Sequence, residues 1–372
     1  ALLQFPGGVL ADRWNTHRLL IVVCIGFSVF TALTPMGQLG FGLMLAIRFG
    51  VGMFESITFP AYAALNARWI PRQEYSRAQT LSISGAYLGQ AVAYPLTTWL
   101  LAMFSWPVVF YCNAVLGGVW LIAWMAFATH TPAEHPQISQ EELQYIESNL
   151  ARRQEQNFSP WAVAKERQVL LLSLSYLLLI YGLWMIVLWL PTYMVKVRGF
   201  TLQQMGWVGI IPTFASFVGL VSGGALSDLL LHRGYSVRFA RAQAPSLCIA
   251  LGVPFLVSAV LVSSGGASVA CFAAYLFLMN IAGGGYWAVP LELNPQLVGA
   301  ISGVMNGSGN FAGIFGPMTA GFLVATTGNW ALPFLVAAGL AAVSFVVFFF
   351  FVVPEPIQIS QSNLGGSTAS VT

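Results

Sequence analysis

Apolar runs of about 18 residues or more recur along this chain, each long enough to cross the hydrocarbon core of a bilayer as a helix. They stand at 19–36, 40–65, 79–102, 106–128, 168–190, 204–226, 243–263, 267–290, 299–325 and 331–353, with a shorter one at 1–11. Charged residues make up only 7% of the sequence and hydrophobic ones 57%, against about 25% charged in soluble domains. The expectation is an all-α membrane protein with about eleven transmembrane helices. The first apolar stretch meets Asp12 and Arg13 after about 15 Å of helical rise, half a hydrocarbon core. It therefore reads as part of a span, with one helix expected upstream and two six-helix bundles overall.

The polar stretch 130–165 divides an N-terminal bundle (1–129, lacking its first helix) from a C-terminal six-helix bundle (166–353), and 354–372 reads as a disordered cytoplasmic tail. Placing the 12–18 loop in the cytoplasm puts twelve of the fifteen Lys and Arg inside, Lys196 and Arg198 outside and Arg48 in the membrane. That bias orients a multi-pass inner-membrane protein with a cytoplasmic C-terminus. Within the divider, Ser139-Gln140-Glu141-Glu142 has capping-box spacing, and Leu143, Ile146 and Leu150 share one face. An amphipathic helix on the membrane surface is expected there, as a tether or as a clamp between the halves.

Two ionisable residues lie at membrane depth in the stretch 48–66. Such groups are costly in lipid and mark functional sites. Arg48 and Glu55 are seven residues apart, on one helix face but separated by about 10 Å of rise. That is long for direct contact, so both tips could converge on a shared cavity, a solute anion or a neighbouring helix. A structural ion pair bracing the helix is the alternative.

The remaining sequence signal is an internal repeat. GGVLADRWNTHR (7–18) recurs as GGALSDLLLHR (223–233), sharing Gly-Gly-x-Leu-x-Asp and then an arginine five or six positions on. The glycines permit close helix approach, and each aspartate suits the free amides and positive dipole of a neighbouring helix N-terminus. Asp12, Arg13, Arg18, Asp228 and Arg233 are the expected conformational lock at the cytoplasmic seam. Repeated halves point to a transporter with its site near the midplane.

These residues resemble the major facilitator superfamily, and more narrowly its anion:cation symporter family of bacterial sugar-acid permeases. Supporting pieces are Gln4-x-Pro6-Gly7-Gly8, Arg48 with Glu55 and Phe59-Pro60, and Trp69-Ile70-Pro71. Trp189-Leu190-Pro191-x-Tyr193, Gly303-x-x-Asn306 and Gly309-Asn310 continue it. In the second repeat Leu229 stands where Arg13 stands in the first, which implies a weaker charge network there. The resemblance implies proton-driven symport of a small organic anion such as a hexonate, hexuronate or glucarate, by alternating access. It further implies that Glu55 carries the coupled proton with Arg48 as partner, that Tyr286 and Trp287 stand where the family lines its sugar site, and that Asn306 matches a polar position of the family's eleventh helix.

Gln90, Asn280, Tyr286, Asn306 and Asn310 are polar positions inside apolar spans, able to meet a sugar's hydroxyls. Interhelical hydrogen bonding accounts for any one of them equally well. Trp287 could stack on a sugar face or sit in an interfacial belt. Glu292 reads as a solvated loop charge or as a gate partner for an arginine. The four cysteines lie in or beside apolar runs and read as small hydrophobes, and the four histidines stand singly without metal spacing. No phosphate-binding loop or catalytic triad appears, so an enzyme is not expected. Neither is a metal or other cofactor, nor nucleic acid as a partner. Protons, a small anion and lipid are the expected partners of a monomer. Rival expectations are a carrier of aromatic or dicarboxylic acids and a non-transporting sensor with the same fold.

Overall fold

The computed structural model describes residues 1–151 and 159–357. Arg152, Arg153 and the tail from 358 onward, expected to be disordered, lie outside the described residues. Among these the regular structure is all helix. The N-terminal half holds α1 (Gln4–Arg13), α2 (Thr16–Leu33), α3 (Phe41–Trp69), α4 (Tyr75–Met103) and α5 (Trp106–Phe127). The divider contains α6 (Gln140–Asn149) and the short α7 (Pro160–Ala164). The C-terminal half holds α8 (Arg167–Arg198), the short α9 (Leu202–Val208), α10 (Ile210–His232), α11 (Ala244–Leu261), α12 (Gly265–Leu293), α13 (Val298–Thr327) and α14 (Leu332–Val346).

Every apolar stretch read from the sequence falls on a helix, and eight of the helical stretches are long and apolar enough to cross a membrane. Helices α4 and α13 have the length, 29 and 30 residues, but are less apolar. Both lie along the junction between the halves, which explains their polarity: neither spends its whole circumference on lipid or core.

Side chains that compete for free amides set the helix boundaries. Asn15 accepts from the Arg18 amide, Ser139 from Glu142 and Ser264 from Ala267, and Thr201 with Gln204 completes a capping box. Gly199 and Gly328, in the left-handed region with φ of 74° and 67°, end α8 and α13. Prolines 60, 95, 191, 254, 290 and 317 sit inside long helices, where packed neighbours re-satisfy the freed backbone groups.

The largest hydrophobic core lies in the C-terminal half, around Tyr193, Phe272, Tyr275, Tyr286 and Phe334. The halves meet by exchange of helices: α1 packs on α13, and α4 on α10 and α12. A small cluster of Ala63, Tyr75, Ala288, Leu291 and Val298 closes the junction at one end, with Ala151 of the divider against it. Helix α6 is held there by the Tyr145 hydroxyl, which donates to Glu74 at 2.8 Å. The adjacent carboxylate pushes the Tyr145 phenol above its ordinary value.

Candidate functional site

Between the halves lies a cavity of about 310 Å³, walled by α3, α4, α8, α10, α12 and α13. It gathers Glu55 and all six polar or aromatic candidates read from the sequence: Gln90, Asn280, Tyr286, Trp287, Asn306 and Asn310. Among the described residues lining it, Glu55 alone carries a formal charge. Glu55 also borders a second space of about 300 Å³ among α2, α3 and α5. It makes no ion pair among the described residues. A further cavity of about 210 Å³ shares Tyr87, Gln90, Leu183 and Val187 with the central one and runs past Tyr94 and Pro191. The central space thus continues toward one end of the molecule.

Two expectations about this site need correction. Arg48 does not meet Glu55: it is exposed, its guanidinium 5.4 Å from the ring centre of Phe110 on α5. Seven residues of rise leave a gap that neither side chain bridges, and the cation finds an aromatic face instead. Tyr286 borders the cavity, but its hydroxyl is committed elsewhere, 2.5 Å from Ser175 Oγ and 3.0 Å from Ser344 Oγ, with its ring stacked on Phe348. Trp287 is not in an interfacial belt. It is 3% exposed, between Phe59 and Tyr176 in the cavity wall.

The opposite end is sealed by the repeated aspartates. Asp12 accepts from the amides of Gly299 (2.8 Å) and Ala300 (2.7 Å), in the first turn of α13. Asp228 accepts from Ser76 (3.3 Å) and Arg77 (2.7 Å), in the first turn of α4. Each half thus caps a helix of the other, where free amides and the helix dipole favour a carboxylate. Glycine makes the approach possible, since a Cβ on Gly8 would overlap the carbonyl of Gly299.

The arginines of this seam are not those expected. Arg13, Arg18 and Arg233 are exposed and form no ion pair among the described residues. Arg241, fully buried, takes the place beside Asp228 at 2.5 Å and reaches Glu292 at 3.4 Å. Its Nη2 donates to the Arg72 carbonyl, and Arg72 in turn holds Glu292 through Nε (2.8 Å) and Nη2 (2.6 Å). Two acids and two arginines so run across the junction, so the second repeat, expected to have the weaker network, recruits its arginines from elsewhere in the chain. In the first copy Arg68 grips the carbonyls of Ala11 and Asp12 and the hydroxyl of Thr16.

The model of the Major Facilitator Superfamily matches residues 1–317. The chain belongs to that superfamily. It is 31% identical over 378 residues to a probable galactarate/D-glucarate transporter of Escherichia coli (strain K12), covering 95% of this chain and 83% of that one. It is 29% identical over 360 residues to a hexuronate transporter of Bacillus subtilis (strain 168), covering 95% and 83%. Among solved structures it is similar to a proton:xylose symporter of the same superfamily, with a TM-score of 0.71 at 12% identity, over 95% of this chain and 83% of that one. The chain spans 60 to 70% of the length of plastid transporters that it also matches. It is a multi-pass membrane protein of that superfamily.

Proposed function

We propose that this chain is the transport core of a proton-coupled symporter for a small organic anion of the sugar-acid type, working by alternating access. The sealed end faces the cytoplasm of a bacterial inner membrane, and the described conformation is open toward the outside. The supporting observation is the composition of the central cavity: one carboxylate, Glu55, facing carboxamides and aromatic rings, in a space closed on one side by cross-half hydrogen bonds. The named substrates of the bacterial relatives, hexuronates and galactarate or glucarate, favour the same solute class.

Two negative charges sharing a cavity of this size repel strongly, so an anionic solute and a proton on Glu55 favour each other's binding. Filling the site and neutralising Glu55 together let the halves rock without carrying an unpaired charge through a drier interior. Arg48, over Phe110, takes no part in this scheme. The test is Glu55→Gln in proteoliposomes loaded with unlabelled acid. Exchange should persist while uphill accumulation driven by a proton gradient disappears. Gradient-driven accumulation at the normal rate would refute the coupling role.

A further inference from the structure

The chain does not leave the molecule at the end of α14. The sequence places 354–357 in a disordered tail, yet the structure folds this stretch back across the sealed end of the C-terminal half. Val352, Pro354 and Ile357 are buried, and Val352 and Ile357 join the large core. Pro354 and Pro356 explain the extended path. Neither can continue a helix, and each fixes φ in advance, so little freedom is lost on docking. Three amides remain between 353 and 357, and all are bonded. Val353 donates to Oε1 of Gln168 at the start of α8 (2.9 Å), Glu355 to the Val353 carbonyl (2.9 Å) and Ile357 to the Leu293 carbonyl (3.0 Å).

Leu293 is the last residue of α12, and its carbonyl is one of the four that a helix leaves without an internal partner. Its two neighbours both serve the junction between the halves. One residue before it, Glu292 holds Arg72 of the other half and reaches Arg241. One residue after it, Asn294 accepts through its side-chain oxygen from the amides of Gln296 (2.9 Å) and Leu297 (3.2 Å). Leu297 is the N-cap of α13, and the first turn of α13 is where Asp12 docks. Residues 294–297 alone join α12 to α13, so a shift of Leu293 is passed to both cross-half contacts. Cavities of about 430 Å³ and about 360 Å³ flank Pro356, the first bordered by Arg72 and Glu292, the second by Gln168.

We propose that 353–357 is a strap. By capping the end of α12 it holds Glu292 against Arg72 and the start of α13 against Asp12, and its release loosens the sealed end. This goes beyond the transport reading, since it concerns what sets the strength of the seal and not which solute passes. Ile357 and Gln168 are positioning residues, acting on the seam through the end of α12. Whatever displaces or removes the C-terminal segment then sets how readily the seam opens.

The experiment follows thiol labelling of Ala300→Cys, 1% exposed at the seam, in reconstituted protein whose four native cysteines are replaced. Ala259→Cys, buried near the far end of α11, reports general loosening of the same half. Ile357→Asp puts a charge where an apolar side chain is buried and should lift the strap. Ending the chain at Val353 removes it. Both changes should speed labelling at 300 about threefold to tenfold, the scale of one backbone hydrogen bond, and leave labelling at 259 unchanged. Ile357→Val should keep both rates at the wild-type value. So should Glu355→Ala, because the Glu355 side chain is exposed and makes no ion pair among the described residues. Wild-type labelling at 300 in both strap variants would overturn the inference. Equal acceleration at 300 and 259 would reduce the segment to core packing and overturn it too. Should one variant fail to fold, the other carries the same test. Labelling needs no solute, so a protein that moves no sugar acid leaves this test intact.

Discussion

Replacing Asp228 by asparagine separates two energies that the wild-type carboxylate joins. The first is internal to the C-terminal half: Arg241 is fully buried and stands 2.5 Å from Asp228. Depriving a buried guanidinium of a partner costs about 3–5 kcal/mol, and Glu292, 3.4 Å away, offsets only part of it. The second crosses the junction. Of the two amides that Asp228 caps, Arg77 is close at 2.7 Å and Ser76 long at 3.3 Å. A charge-assisted bond is worth about 1.5–3 kcal/mol and a neutral one about 1 kcal/mol. Since asparagine retains one neutral acceptor, the seam loses about 1–2 kcal/mol, a factor of roughly 5–30 in the balance of closed and open forms. Unfolding in detergent reports the larger energy. The smaller is read by thiol labelling of Ala300→Cys, a position 1% exposed at the seam, after the four native cysteines are replaced. Labelling should accelerate by that factor in Asp228→Asn. If stability falls while labelling stays at the wild-type rate, Asp228 only braces its own half, and the cross-half lock is refuted.

Two further outcomes follow from the same contacts. Tyr286→Phe should lower stability by about 0.5–1.5 kcal/mol through loss of the Ser175 and Ser344 bonds, with the KM for solute unchanged; a raised KM would return the hydroxyl to the binding site. Gly8→Val should drive α1 from α13, because the obstructing atom is backbone of Gly299, and so speed labelling of Ala300→Cys, whereas Gly52→Val, with nothing within 4 Å of its added Cβ, should not.

The sequence was most informative where physics left few choices. Apolar runs of bilayer length had to become helices, and each lies on one. The aspartates were legible because Gly-Gly-x-Leu-x-Asp occurs twice in matching places, and a carboxylate at a helix end beside paired glycines has few uses other than capping the helix that packs there. Polar residues inside apolar spans were legible for a related reason: lipid disfavours them, and Gln90, Asn280, Asn306 and Asn310 all line the central cavity, whereas Arg48 stays exposed. Orientation around the helix was harder. Tyr286 shares the cavity wall with Trp287, yet its hydroxyl is claimed by Ser175 and Ser344 from helices far away in sequence.

The arginines show why nearness in sequence misled. Arg233, five residues after Asp228, has already passed the end of α10 and points to solvent. At Gly234 the backbone turns with φ of 81°, and the chain comes back alongside α10. The widened turn Phe239–Gln243 then lays Arg241 against Asp228, thirteen residues downstream. A charge that must be paired in a dry seam is recruited from the strand of chain that returns to it, not from the one that leaves. By the same logic Arg72 reaches Glu292 from the opposite half, 220 residues away. Only the first of these two bonds lies within one half. On the alternating-access mechanism proposed above, opening the seam has to break Arg72–Glu292, where Arg72 is half-exposed and readily rehydrated, while the buried Arg241–Asp228 pair stays within its own half.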